Sequence, residues 1–256
     1  MEECAEGSCV RQDNYLALHC LAFQRLISDI LLFMLEKQPT YKPGILAINE
    51  IFHSIQGESS HTGRPCVFVR LTYCNIRCSY CDTEYAFYEG KEMSIDGIIR
   101  QVDSYGCKLV EVTGGEPLFQ QNVHELMTRL CDTGYEVLLE TGGSLDIGIV
   151  DARVKRIVDF KCPTSGMEKK NLWANADLLK QGDEVKFVIG SREDYDWAKN
   201  KIMERGLLQR CPVLLSPTFG VLDPVTLAEW MLADKLDVRM QIQLHKLIWS
   251  PETKGV

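Results

Sequence analysis

The stretch that decides the fold is Cys74-Asn75-Ile76-Arg77-Cys78-Ser79-Tyr80-Cys81-Asp82-Thr83, which directly follows the apolar run Cys66-Val67-Phe68-Val69-Arg70-Leu71. Its three cysteines are spaced C-x3-C-x2-C, so one loop can place three thiolates around one metal centre. A structural zinc site or a closed iron–sulfur cubane requires four ligands. Three ligands on one loop therefore predict an iron–sulfur centre with one iron open to a further ligand.

The remaining cysteines provide no second pair of the kind that structural zinc sites add to a C-x2-C motif. There are eight of them, at positions 4, 9, 20, 66, 107, 131, 162 and 211. A zinc site and three unrelated thiols remain alternatives, but the spacing favours the open iron. Eleven cysteines without a secretory signal pattern also indicate a reducing compartment, so we expect the protein in the cytoplasm.

The composition is that of a soluble globular protein with one large domain. The chain has 256 residues, of which 45% are hydrophobic and 25% charged. Its net charge of −8 and the absence of a basic cluster argue against a nucleic-acid partner, because such proteins usually carry a basic stripe. We therefore expect no nucleic acid and no membrane among its partners.

Residues 1–44 differ from the rest of the chain and are interpreted as an N-terminal appendage. The apolar stretch 15–35 carries polar residues on one helical face, which predicts an amphipathic helix. Its charges exclude a transmembrane span, which needs about 20 residues with few or no charges. The linker 38–44, with two prolines and a glycine, then ends the helix. A further interpretation is that translation begins at Met34.

From Ile45 onward, apolar strands alternate with helical stretches, which predicts a parallel α/β domain over residues 45–256. Strands are predicted over 66–72, 109–112, 136–139, 156–160, 184–188, 212–215 and 241–244, and helices over 94–105, 120–133, 193–205 and 223–234. Six or seven strand units are too few for a complete eightfold barrel. The distinctive motifs follow the strands, so we expect them at the carboxyl edge of an incomplete barrel.

The stretch Gly114-Gly115-Glu116-Pro117 follows the predicted strand 109–112. Two glycines let the backbone approach a ligand closely, and Glu116 can accept a hydrogen bond from an ammonium group. Together with the three-cysteine loop, this element resembles those of radical S-adenosylmethionine (SAM) enzymes. The resemblance implies a modified (β/α)6-type radical SAM barrel, with a 4Fe–4S cluster on Cys74, Cys78 and Cys81 and SAM on the open iron.

Further motifs resemble those of the 7-carboxy-7-deazaguanine synthases over residues 46 to 250. They are Phe52-His53-Ser54-Ile55-Gln56-Gly57-Glu58-Ser59, Gly63-Arg64-Pro65, Asp159-Phe160-Lys161-Cys162-Pro163-Thr164-Ser165-Gly166, Glu184-Val185-Lys186-Phe187-Val188 and Gln241-Ile242-Gln243-Leu244-His245-Lys246-Leu247-Ile248-Trp249. The resemblance implies a carbon–nitrogen lyase of queuosine and deazapurine biosynthesis. Its reaction is the Mg2+-assisted ring contraction of 6-carboxy-5,6,7,8-tetrahydropterin to 7-carboxy-7-deazaguanine, with release of ammonia. It also implies flavodoxin or ferredoxin as electron donor, and a homodimer.

The same resemblance assigns cofactor roles to individual residues. Contacts to SAM are implied for Tyr80 beside the adenine, for Gly114, Gly115 and Glu116 at the methionine amine, and for Thr141, Lys161 and Ser165 at the ribose and carboxylate. The Thr83 hydroxyl is implied as the protein ligand of Mg2+, an ion that prefers hard oxygen ligands. From the residues alone, Asp82-Thr83 is more often a helix cap, and the last three SAM residues are equally turn residues.

The resemblance also implies the residues that bind the pterin. Its substrate-binding residues would be Ile55, Gln56, Gly57, Glu58, Arg70, Thr113 and His245. Glu58 and Gln56 suit the amino-pyrimidinone edge, and Arg70 suits the carboxylate. Each has a plainer interpretation: Arg70 as the partner of a buried acid, Glu58 as a turn residue and His245 as a structural imidazole.

Two other functions share part of this pattern. A radical SAM activase, which makes a glycyl radical on a partner, would use the cysteine loop and Gly114-Gly115-Glu116 but neither the Gln56-Gly57-Glu58 stretch nor Gln243-Leu244-His245-Lys246. A non-catalytic zinc or iron–sulfur binding module is the alternative outside the enzymes. Iron content and SAM cleavage separate that module from both enzymes.

Overall fold

The computed structural model describes residues 39–256, which are organised around a nine-stranded sheet. The strands are β1 (Ile45–Ile55), β2 (Pro65–Leu71), β3 (Lys91–Ser94), β4 (Leu109–Gly114), β5 (Glu136–Thr141), β6 (Lys155–Asp159), β7 (Glu184–Ile189), β8 (Val213–Pro217) and β9 (Arg239–Met240). Their spatial order is β3-β1-β2-β4-β5-β6-β7-β8-β9. β1 is antiparallel to β2 and β3, and all other neighbours are parallel.

Helices connect the parallel strands, and side-chain caps fix where several of them begin. They are α1 (Ile95–Ser104), α2 (Val123–Asp132), α3 (Arg192–Glu204), α4 (Pro224–Asp234) and the short α5 (His245–Ile248). The side chains of Ser94, Ser191 and Asp223 accept from the backbone amides of the first turns of α1, α3 and α4. In α4 this cap is followed by Pro224, whose missing amide is not needed at that position.

The two faces of the sheet are covered differently. The main core joins strand residues such as Val69 and Val112 to the buried sides of helices α1 to α4. A second apolar cluster contains only strand and sheet-end residues, namely Phe52, Cys66, Phe68, Leu109, Leu138 and Ile157. Side chains alternate between faces along a strand, so this cluster lies on the face opposite the helices. Helices α1 to α4 cover one face of the sheet, so the other face is the inner side of an open barrel.

The inner face becomes charged toward the carboxyl ends of the strands. Two residues beyond Leu109, Leu138 and Ile157 stand Glu111, Glu140 and Asp159, and Lys186 pairs with Asp159 in register. Glu111, Asp159 and Lys186 are buried. The alternation of the strands thus stacks a charged layer on an apolar floor, directly below the loops.

The parallel α/β prediction and its open, incomplete barrel are confirmed. The four predicted helices and six of the predicted strands lie within a few residues of those observed. The predicted strand 241–244 is wrong: β9 ends at Met240, and the side chains of Gln241 and Gln243 turn toward Glu58. Three observed strands were not predicted: a register shift interrupts the alternation of β1, the edge strand β3 is mostly exposed, and β9 has only two residues.

The appendage predicted over 1–44 falls largely on residues 1–38, outside the part of the chain that the structure describes. Its amphipathic helix and the boundary at residue 44 stay predictions. Among residues 39–256, no helix is long and apolar enough to cross a bilayer.

Two leucines on helices test this division into covered and open surfaces. Leu126 on α2 is 0% exposed and belongs to the main core, whereas Leu232 on α4 is 78% exposed. We expect Leu126→Ala to lower the free energy of unfolding by about 2–5 kcal/mol in urea titrations, because it leaves a cavity. Leu232→Ala, the matched control, should stay within about 0.5 kcal/mol of the parent. Similar losses for both variants would contradict the assigned core.

Candidate active site

The cysteine loop lies between β2 and the helical turn Glu84–Phe87, at the carboxyl edge of the sheet. The Arg77 guanidinium holds its shape by donating to the carbonyls of Cys74 and Ile76, both at 2.7 Å, and by stacking 4.2 Å above the Phe87 ring. Cys74, Cys78 and Cys81 are free, half-buried thiols. Burial raises the pKa of Cys74 to about 11 and also raises the pKa values of the other two.

The donor set of this loop suits an iron–sulfur cluster, because three thiols on one loop match three of its four irons. Within residues 39–256, however, no three His, Cys, Asp or Glu side chains already converge on one point. The thiols would therefore turn toward a common centre as a cluster binds and deprotonates them.

The glycine loop after β4 is joined directly to the cysteine loop. The Gly115 amide donates to the Leu71 carbonyl at 3.2 Å, and the Glu116 amide donates to the Tyr73 carbonyl at 2.8 Å. A Cβ atom on Gly115 would lie 2.1 Å from that Tyr73 oxygen. Gly114 has a φ of 145°, a conformation that side chains rarely adopt. Both glycines are therefore required for the two loops to meet.

The Glu116 carboxylate is fully buried, and its oxygens accept hydrogen bonds from neighbouring groups of the protein. It accepts from the Thr141 hydroxyl at 2.8 Å, the Gly142 amide at 2.7 Å and the Leu118 amide at 3.1 Å. Burial raises its pKa, against the effect of these donors. The implied contacts of Glu116 and Thr141 with SAM stay predictions; in this structure the two residues tie the β5 loop to the glycine loop.

The loop after β6 packs against the cysteine loop and forms a second wall of the site, besides the glycine loop. The Ser79 amide donates to the Ser165 carbonyl at 3.1 Å, and the Ser79 hydroxyl donates to the Thr164 carbonyl at 2.6 Å. The Ser165 hydroxyl is buried and donates to the Cys162 carbonyl at 2.6 Å. The side chain of Ser165 is thus engaged in its own turn, which is the plainer of the two sequence interpretations.

Two buried polar atoms beside this wall have no hydrogen-bond partner. They are the Tyr80 hydroxyl and Asp159 Oδ1, while Asp159 Oδ2 accepts from Lys161 Nζ at 2.8 Å. Burial raises the pKa of Tyr80, and the Asp159 carboxylate adds to that effect. Unpaired buried groups are rare in proteins, so this pair fits a polar ligand held next to the cysteine loop.

The end of the cysteine loop is connected to the last segment of the chain. The Thr83 hydroxyl donates to Asp82 Oδ1 at 2.9 Å, and Asp82 Oδ2 accepts from Lys246 Nζ at 2.6 Å. Gln243 Nε2 donates both to Asp82, at 3.2 Å, and to Glu58 Oε1, at 2.9 Å. Thr83 precedes the turn Glu84–Phe87, but its side chain makes no capping hydrogen bond. Its oxygen lone pairs therefore remain able to bind a cation.

Glu58 enters the charged layer of the inner face from the loop between β1 and β2. It accepts from Lys186 Nζ at 2.8 Å and Gln241 Nε2 at 3.0 Å, besides Gln243. Lys186 also donates to Glu140 and lies 3.7 Å from Asp159. Burial raises the pKa of Glu58, but the Lys186 ammonium outweighs it and lowers that pKa below its ordinary value. Glu58 is thus an ionised acceptor within this layer.

Gln56 and Arg70 both have protein partners. Gln56 is buried; its amide nitrogen donates to Glu111, and its oxygen accepts from the Glu58 amide at 2.8 Å. Arg70 Nε donates to Glu50 Oε1 at 2.8 Å, an oxygen that also accepts from Tyr85 at 3.0 Å. Arg70 therefore pairs with a half-buried acid rather than a buried one, and its role toward a substrate carboxylate stays a prediction.

The remaining implied substrate residues lie at different places along the sheet. Ile55 ends β1 opposite Pro65, and Thr113 stands beside Arg70 in register. Gly57 lies directly against His245, since an added Cβ would come within 2.2 Å of its Nδ1 atom. Burial lowers the pKa of His245. The structure thus brings Gln56 and Glu58 to the charged layer. It also sets Gly57 against His245 and Arg70 beside Thr113, and it leaves Ile55 at the amino edge of the parallel strands.

Several residues of this site were not identified as functional from the sequence. They are Glu50, Glu140, Asp159, Lys186, Gln241 and Gln243. A lysine between Val185 and Phe187, inside a buried strand, is a signal that could have found the charged layer, because charges are rarely buried without partners. No local pattern shows that Gln241 and Gln243 reach Glu58, which is more than 180 residues earlier.

Comparison with known proteins places the chain in a family. Residues 69–165 match the Radical SAM superfamily. The 7-carboxy-7-deazaguanine synthase of Chlorobaculum tepidum is 51% identical over 82% of this chain and 97% of its own length. That of Koribacter versatilis is 46% identical, over 82% and 100%. The crystal structure of QueE from Escherichia coli matches with a TM-score of 0.67 at 21% identity, over 78% of this chain and 95% of the other, which supports the fold.

Gly115→Ala tests the contact between the glycine and cysteine loops. Its Cβ would collide with the Tyr73 carbonyl and come within 2.9 Å of Cys74 Cβ, so the backbone before the first thiol must move. Overpacking of this kind costs about 1–3 kcal/mol. We expect less iron bound per chain after anaerobic reconstitution. Gly97→Ala on α1 is the control, because its Cβ meets only the side chains of Ser94 and Arg100. Equal iron content in a folded Gly115→Ala protein would contradict the assigned contact.

Proposed function

Since the chain belongs to the 7-carboxy-7-deazaguanine synthase family of the radical SAM superfamily, we propose that it converts 6-carboxy-5,6,7,8-tetrahydropterin to 7-carboxy-7-deazaguanine with release of ammonia. This makes it a carbon–nitrogen lyase. Both relatives have this name, and the alignment covers 97% of the first relative and 100% of the second. The product would feed queuosine or another deazapurine.

The strongest support for the proposal is a hydrogen-bond network that joins the end of the cysteine loop to Glu58, a residue implied to bind the substrate. It runs from Thr83 through Asp82 and Gln243 to Glu58. A cluster-binding loop alone would suit any radical SAM enzyme, and an activase would not need this connection. A network that connects Thr83, implied for Mg2+, with Glu58, implied for the pterin, supports one shared site for metal and substrate.

Cys74, Cys78 and Cys81 would hold the 4Fe–4S cluster, and SAM would lie between the glycine loop and the wall formed by Tyr80 and residues 161–165. When bound, the cluster and SAM supply the one-electron chemistry that starts the ring contraction by removing a hydrogen atom. The protein positions these groups and excludes water. Lys161 stays protonated, because the Asp159 carboxylate outweighs the effect of burial on its pKa, and so provides a cation for the SAM carboxylate.

The inner face would bind the pterin through side chains of complementary charge. Glu58 is an ionised acceptor for the amino and ring N–H donors of the amino-pyrimidinone. Arg70 offers guanidinium N–H groups beyond the one bound to Glu50, and these suit the 6-carboxylate. Because Thr83 ends the cysteine loop and is linked to Glu58 through Asp82 and Gln243, its hydroxyl would bind Mg2+ together with substrate oxygens and waters.

The remaining expectations concern partners and location. We infer a homodimer that takes its electrons from flavodoxin or ferredoxin, and that works in the cytoplasm. All eight cysteines among residues 39–256 are free thiols, which supports a reducing compartment.

The decisive experiment is turnover under anaerobic conditions. Cluster-reconstituted protein with SAM, dithionite, Mg2+ and 6-carboxytetrahydropterin should yield 7-carboxy-7-deazaguanine, detected by mass spectrometry. Cys78→Ala should lose product and iron together, whereas Cys107→Ala, which lies outside the cysteine loop, should keep both. Formation of 5′-deoxyadenosine without the deazaguanine would show that the proposed substrate is wrong and would favour an activase. Neither product from protein with a full cluster would favour a binding module.

Thr83→Ala tests the magnesium role separately. We expect an unchanged iron content and a rise of about tenfold in the Mg2+ concentration for half-maximal turnover, equivalent to about 1.4 kcal/mol. Thr83→Ser, which keeps the hydroxyl, should behave like the parent. The same magnesium titration for all three proteins would remove Thr83 from the metal site and leave it as a loop residue.

A further inference from the structure

Lys186 has an environment that the reaction described above does not explain. It lies in the middle of β7, and its side chain is only 7% exposed. Its ammonium group donates to Glu58 and Glu140 and lies 3.7 Å from Asp159. These acids come from the β1–β2 loop and from the ends of β5 and β6. One lysine thus joins a substrate-side loop to two strands of the barrel.

The cation is energetically required where it lies. Burial alone would lower the pKa of Lys186, but the carboxylates of Glu140 and Glu58 raise it well above the ordinary value. An unpaired buried charge is very costly, so the ammonium and its acids hold each other in their charged forms. Glu111, on the same face, lacks such a partner. Burial and the neighbouring carboxylates Glu140 and Glu58 raise its pKa well above normal.

The hydrogen bonds of Glu58 also depend on its ionisation. Its Oε2 atom accepts from Lys186 and Gln241, and its Oε1 atom accepts from Gln243. A carboxylate offers about four acceptor positions, so one position on Oε1 stays open. Glu58 is 18% exposed, which leaves it accessible to a ligand from the pocket. A protonated Glu58 would lose acceptor capacity and offer a donor to the N–H edge of the substrate instead.

We propose that Lys186 is a positioning residue that keeps Glu58 ionised and fixes its free acceptor toward the donor edge of the bound pterin, with Glu140 as its second anchor. The inference rests on the proposed function for the identity of the ligand. It adds a residue beneath the pocket that controls recognition without touching the substrate.

Removal of this cation would make pterin binding depend on pH. The charged groups around Glu58, apart from Lys186, are mostly acidic: Asp82 in the cysteine loop and Glu111 on β4 act on it directly, and Glu140 on β5 and Asp159 on β6 share Lys186 with it. His245 and the cation Lys246, which pairs with Asp82, face it from α5. Burial and these carboxylates would then raise the pKa of Glu58. Binding would be weak at low pH and would recover as pH rises through the raised pKa.

The test measures pterin affinity in full-length, cluster-reconstituted protein with SAM, by anaerobic equilibrium dialysis of 6-carboxytetrahydropterin between pH 6 and 9. For the parent we expect a Kd that does not increase as the pH is lowered to 6. For Lys186→Met we expect weaker binding at pH 6 than at pH 9, with about tenfold lost for each unit by which the Glu58 pKa exceeds the assay pH. Lys186→Arg, which keeps a cation, should retain the parent's pH profile.

Arg156→Met is the matched control, because Arg156 is another buried strand cation, paired at 2.5 Å with Asp183. It should lose stability and keep the parent's pH profile of binding. An unchanged profile in Lys186→Met, in a protein that melts cooperatively and binds iron, would overturn the inference. If Lys186→Met does not fold, Lys186→Gln replaces it with the same criterion. A parent protein that neither binds nor converts the pterin would instead overturn the proposed function.

Discussion

The candidate site depends on two backbone contacts that position the cysteine loop. The Glu116 amide donates to the Tyr73 carbonyl, and the Ser79 amide donates to the Ser165 carbonyl. One contact joins the loop to the end of β4, and the other joins it to the end of β6. Because β2, β4, β5 and β6 run parallel, their carboxyl ends lie at one edge, where loops that follow different strands can contact one another. Sheet direction thus fixes where the thiols stand relative to the glycine loop.

Beneath these loops, the inner face of the sheet separates packing from recognition. The rings of Phe52 and Phe68 stack with their centroids 4.9 Å apart in the apolar cluster of the inner face. The charged layer begins two residues further along the parallel strands. The same alternation that buries leucines and valines against the helices therefore places carboxylates and lysines opposite them. This explains why strands that read as almost wholly apolar carry isolated charges near their ends.

Much of this organisation could be predicted from the sequence, and the parts that could not have identifiable physical reasons. The cysteine spacing, the paired glycines and the alternation of strands with helices are local patterns, so they predict the fold and the position of the loops. The partners of Arg70 and Glu58 are not local: Glu50 lies across a strand pair, and Gln243 is 185 residues from Glu58. The false strand at 241–244 has the same origin, because its glutamines are oriented by a distant carboxylate.

The open side of the barrel is closed by contacts between segments from opposite ends of the domain. The Ser59 amide donates to the Gln241 side chain across 182 residues, and the Leu244 amide donates to the Gly57 carbonyl. Contacts of such sequence separation form late, because the intervening chain must first be ordered. During synthesis the cysteine and glycine loops leave the ribosome well before Gln241, so these two loops can meet before the last segment supplies the contacts that hold Glu58 and Asp82.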